Sequence, residues 1–104
     1  MTETRFKIEF SEQFWISYKK LTKGDANLGK RIHKAVELLA QNPKHPSLNS
    51  HAVTDRNGNA VWSSWVTGDV RIIWIYDEQT KSLVVIINTG KHSGSSQIYL
   101  RKSS

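Results

Sequence analysis

Cysteine is absent from all 104 residues, which excludes disulfide bridges and thiolate metal sites. That fits a reducing compartment, and the expected location is cytoplasmic. No apolar run approaches the roughly 20 residues that span a bilayer. The longest lie around Ile72–Tyr76 and Leu83–Ile87. The opening residues, MTETRFKIEF, are charged and alternate in polarity, with nothing like a signal-peptide core. The expectation is a chain with no membrane partner. Also missing are a glycine-rich phosphate loop, an HExxH pair, a cluster of carboxylates spaced for a metal, and a nucleophile elbow around any serine. His45 and His51 stand six apart, but no nearby carboxylate completes a site. No metal and no cofactor are therefore expected.

Acidic residues are also scarce, and they stop early. Nine Asp and Glu face fifteen Lys and Arg, giving a formal charge of +6. After Glu78 no acid follows, while Lys81, Lys91, Arg101 and Lys102 do. A polyanion suits such an end, because each neutralised phosphate releases condensed counterions. The other readings of that charge are a surface that only keeps the chain soluble, or one that an acidic protein covers.

The length fits one domain over residues 1–104. Arg5–Phe10 alternates apolar and charged residues, as a strand does. Ser11 is placed to cap a helix, with Glu12 in its first turn. Phe14, Trp15, Tyr18 and Leu21 recur at helical spacing, and Gly24 ends that helix. A second helix is expected from Asp25 or Asn27 to about Gln41, with Leu28, Ile32, Ala35, Val36 and Leu39 on one stripe. Lys30, Arg31, Lys34 and Glu37 lie off it, and His33 reads as a surface residue. Asn42-Pro43 closes the helix. Residues 43–59 read as a loop holding both prolines and the turn signal Asn57-Gly58. Three strands follow: Ala60–Val66, Val70–Tyr76 and Leu83–Asn88, the first two joined by a tight turn at Thr67-Gly68-Asp69. The expected fold class is α+β, in the order β-α-α-β-β-β, with a mostly antiparallel sheet and two N-terminal helices packed on one face. Ser93-Gly94-Ser95-Ser96 reads as a flexible link before Ile98 and Tyr99.

What remains open to such a chain is metal-free acid–base chemistry on a polyanion. Cutting RNA requires a 2′-oxygen to lose its proton and attack phosphorus, the added negative charge to be stabilised, and the departing 5′-oxygen to be protonated. Histidine suits the proton steps, and the arginine fork suits the charge. Arg71 is the one charge inside the otherwise apolar strand VRIIWIY. It is either functional or a rim residue pairing with Asp69 or Asp77. Gly90 is expected to turn the chain sharply after the last strand, presenting Lys91 and His92 beside the arginine. His51 precedes the first hairpin strand. Trp62 and Trp65, three apart on one strand, face opposite ways: one joins the core and the other offers a platform for a base. Asp69 is a turn residue by default.

The layout, with Asn42-Pro43, Pro46-x-Leu48, His51, Asp69-Val70-Arg71-Ile72-Ile73 and Gly90-Lys91-His92, resembles the RelE/ParE-type toxins of bacterial toxin–antitoxin modules. The resemblance covers almost the whole chain. Its RelE-like members are small metal-independent ribonucleases, many of which cut mRNA in the ribosomal A site, and a cognate antitoxin wraps and silences them. The resemblance implies that Arg71 contacts phosphate and that His92 is the catalytic histidine of the YafQ-like branch. It implies further that His51 and Asp69 match that branch's other histidine and turn aspartate, and that Tyr99 matches a C-terminal aromatic used for proton transfer or stacking. Lys91, Arg101, Trp62 and Trp65 complete the expected RNA-binding set. Where RelE carries second-strand lysines this chain has Trp62 and Ser64, and Trp65 stands where the YafQ-like branch has a histidine. The ParE branch, directed at DNA gyrase, shares the fold.

Overall fold

Ser11 begins the helical layer as its position suggested: its hydroxyl accepts the Phe14 N–H at 3.0 Å, satisfying one of the unpaired donors of the first turn. The structure, a computed structural model, describes residues 6–55, 57–77, 79–80 and 83–91. In order they form β1 (Lys7–Phe10), α1 (Glu12–Thr22), α2 (Ala26–Gln41), a 3-10 turn (Pro46–Leu48), β2 (His51–Thr54), β3 (Ala60–Trp65), β4 (Val70–Tyr76) and β5 (Leu83–Lys91). Between the helices Gly24 takes φ 74°, a left-handed conformation that suits glycine. Asp25 then caps α2, accepting the Leu28 N–H at 3.1 Å.

The strands form one sheet in the order β1-β5-β4-β3-β2. β1 runs parallel to β5, and every other neighbouring pair is antiparallel. Side chains alternate between its faces. Ile72, Trp74, Val84 and Ile86 point toward the helices and pack with Phe14, Ile32, Ala35 and Leu39. Leu39, Ile72, Trp74, Val84 and Ile86 are fully enclosed, so truncating Leu39 to alanine costs about 2–5 kcal/mol. A smaller cluster, Val61, Ile73 and Ile87, lies on the opposite face.

Two expectations are corrected. Residues 51–54 are a strand, not loop, so the order is β-α-α-β-β-β-β. Val53 alternates with exposed His51, Ala52 and Thr54, a pattern too short and too polar to stand out, although Asn57-Gly58 marked the turn that follows it. Asp55 closes that turn, its Oδ1 accepting the N–H groups of Asn57 and Asn59 at 2.9 and 2.8 Å. The second correction concerns Gly90, which does not turn the chain. It continues β5 opposite Arg71, and Lys91 pairs with Val70, because the β4 ladder runs on past the point where the apolar pattern stops.

Candidate functional site

Two rows of residues cross the sheet on the face away from the helix layer. Trp65, Arg71 and Gly90 are in register across β3, β4 and β5. The next row is His51, Ser63 and Ile73, from β2 to β4. Strand spacing and rise put the His51 and Arg71 backbones roughly 12 Å apart. They border one surface without touching.

Arg71 is held rather than mobile. Its Nη1 donates to the Thr67 and Gly68 carbonyls at 2.9 and 3.0 Å. Its guanidinium carbon lies 4.6 Å from the Trp65 ring centre, a cation–π contact. The turn supplying those carbonyls is itself fixed by the Thr67 hydroxyl, which accepts the N–H groups of Asp69 and Val70 at 3.1 and 3.0 Å. Among the described residues Nε and Nη2 have no acceptor, so they are the donors left for an anion. The side chain is nonetheless 94% enclosed, being only 6% exposed. A charge so placed is stabilised by the carbonyl dipoles and the indole face.

His51 is exposed at the start of β2. Asn49, in the left-handed region at φ 47°, reverses the chain out of the 3-10 turn, and its carbonyl meets His51 Nδ1 at 3.0 Å. A carbonyl only accepts, so the hydrogen sits on Nδ1 and Nε2 is the basic nitrogen of the neutral ring. A hydrogen-bond chain running out from the core anchors this loop: Trp74 Nε1 donates to Ser64 Oγ at 2.7 Å, the Ser64 and Ser50 hydroxyls meet at 2.6 Å, and Ser50 Oγ donates to the Pro43 carbonyl at 2.7 Å. Ser50 and Ser64 were missed in the sequence. The only signal for Ser64 is the serine pair between tryptophans in VWSSW, and Ser50 has none in its own stretch.

The tryptophans part as alternation requires. Trp62 stacks on Trp74 at 5.6 Å, with Lys44 Nζ 3.8 Å from its ring centre, on the helix side. Trp65, 40% exposed, stands with Arg71. Trp65 is thus the tryptophan on the Arg71 face, and Trp62 lies on the other. Asp69 is half-buried in the turn. His92, Tyr99, Arg101 and the Ser93–Ser96 link lie outside the described residues. Among the described residues no three His, Asp or Glu side chains converge on a metal position, and no helix is long and apolar enough to cross a membrane.

No protein-family model and no curated protein matches the sequence. Solved structures do match the fold. A YoeB/ParE toxin from Agrobacterium tumefaciens superposes with a TM-score of 0.69 at 15% identity, covering 84% of this chain and 99% of its own. The archaeal RelE–RelB complex from Pyrococcus horikoshii gives 0.65 at 12% identity, with 88% and 99% covered. YafQ from E. coli gives 0.58 at 20% identity, with 86% and 96% covered. The chain has the fold of the RelE, ParE, YoeB and YafQ toxins.

Proposed function

We propose that this chain is the toxin of a type II toxin–antitoxin module: a one-domain, cytoplasmic, metal-independent endoribonuclease that cuts mRNA in the ribosomal A site. The observation that carries the reading is Arg71, an arginine locked between turn carbonyls and an exposed indole on a sheet face, with an imidazole base bordering the same face. A fixed fork of donors stabilises charge as it develops on phosphorus, without reorganising during the reaction.

In this reading His92 is the main acid–base group and His51 its partner, through Nε2. Arg71, with Lys91, binds the phosphorane oxygens, and Asp69 orients a neighbour. Tyr99 assists proton transfer or stacks on a base, while Trp65 and Arg101 hold the flanking RNA. The 2′-oxygen attacks the adjacent phosphorus, its proton passes to a histidine, and the 5′-oxygen leaves with a proton from the second. A cognate antitoxin is the expected protein partner, and the capture of one structure of this fold as a RelE–RelB complex supports it.

The test is to map RNA 5′ ends after brief induction of wild type, Arg71→Ala and His92→Ala in cells. Cuts at translated codons that vanish in both variants are expected. Growth arrest with intact transcripts and a DNA-damage response would move the assignment to a gyrase inhibitor, and no arrest would make the chain an antitoxin-binding scaffold.

A further inference from the structure

A cleft of ≈ 380 Å³ opens between α2 and the end of β3, lined by Arg31, Lys34, Leu38, Leu48, Trp65 and Val66 among others. Its size falls near the lower end of the ~300–1,000 Å³ of small-ligand sites, room for one nucleotide. Arg31, Lys34 and Leu38 follow helical spacing and share one face of α2. Both cations are exposed, whereas Leu48 is buried and Val66 half-buried. The lining therefore combines a tryptophan, aliphatic residues and two exposed positive charges.

We propose that this cleft is a nucleotide subsite for single-stranded RNA, in which a base lies against Trp65 while Arg31 and Lys34 hold the adjoining phosphate. The inference rests on the reading of the chain as an RNA-cutting protein and extends it to the path of the substrate. Trp65 is shared: Arg71 covers part of its indole on the sheet face, and the same residue borders the cleft. An RNA strand crossing Arg71 thus passes over the edge of Trp65 and reaches α2. A carboxylate-bearing peptide would use the two cations but gain little from the indole, whereas every base has a π-face to stack on it. None of these roles needs Arg31 or Lys34 to touch the reacting phosphate, so they are binding residues.

The probe is a short fluorescein-labelled single-stranded RNA with every ribose 2′-O-methylated, which removes the nucleophile and separates binding from cutting. Anisotropy titrations across a salt series compare the full wild-type chain with R31S/K34S, W65L and the control K19S/K20S, which loses equal charge from α1. R31S/K34S should bind roughly tenfold more weakly, with a log–log salt slope shallower by about 0.7, the value for one phosphate contact. W65L should lose about ten- to a hundredfold with the slope unchanged. Arg31 and Lys34 are exposed, so that pair reports even where W65L unfolds. If unmodified RNA is cut by wild type and R31S/K34S binds like the control, the subsite is overturned while the ribonuclease reading stands. If wild type binds no RNA, the subsite is overturned, and the ribonuclease reading is decided separately by the 5′-end mapping in cells. If R31S/K34S loses only binding to polyglutamate, the cleft belongs to an acidic protein instead, and the proposal is overturned.

Discussion

The Arg71 guanidinium rests 4.6 Å from the Trp65 ring centre while its Nη1 donates to the carbonyls of Thr67 and Gly68. Three neighbours thus fix one planar group, and a lysine ammonium cannot reproduce that fork. Arg71→Lys should therefore lose RNA cleavage almost as fully as Arg71→Ala, about 10²–10³ in rate. Single-turnover cleavage of a ribosome-bound message, alongside a thermal melt to confirm folding, measures it. Retention of more than half the rate by Arg71→Lys would show that charge alone suffices.

Asn49 occupies a left-handed conformation that asparagine tolerates and β-branched residues do not. Asn49→Val should cost about 1–2 kcal/mol in urea unfolding and reduce activity by displacing His51. Asn49→Gly should keep both near wild type.

Ser64 accepts the buried Trp74 indole N–H at 2.7 Å. Ser64→Ala strands that donor and should cost about 1–3 kcal/mol. Adding Trp74→Phe removes the orphan, so the double variant should lose less than the sum of the single losses. Strict additivity in a denaturation cycle would rule out the coupling.

Burial holds the Tyr76 phenol above the ordinary value of 10.0. Between the unfolded and folded values the native state keeps the proton that the unfolded chain has released. By linkage, stability is undiminished below pH 10 and falls as pH rises beyond it. Tyr76→Phe should flatten this alkaline loss, read from denaturant midpoints on either side of that value.

Much of this was legible in the chain. The α2 stripe predicted three of its four buried residues, Ile32, Ala35 and Leu39, Ser11 marked the start of α1, and Asp25 was one of two starts offered for α2, because caps and periodicity are local signals. The lone charge in VRIIWIY pointed to Arg71. Alternation alone forced Trp62 and Trp65 apart, though which one met the core depended on Trp74 lying across from Trp62. β2 was missed because its pairing with β3 is what makes it a strand, and four mostly polar residues carry little pattern of their own. Arg31 and Lys34 looked like any solvated helix face. Only the approach of Trp65, more than thirty positions away in the sequence, gives them a cleft. The partners of Arg71 were illegible for a related reason: they are backbone carbonyls, which no sequence distinguishes.

The parallel pairing of β1 with β5 has a consequence for synthesis. Lys7 meets Leu83, and the Ser11 hydroxyl donates to the Ile87 carbonyl, 76 positions away. β5 is also the interior strand that joins β1 to β4. Such a closure is among the slow, non-local steps of folding. Until β5 has left the ribosome, the sheet lacks the strand between β1 and β4, and Arg71 has no neighbour on its β5 side. A nascent fragment lacking β5 therefore holds Arg71 and Trp65 on a sheet that has not yet been joined to β1.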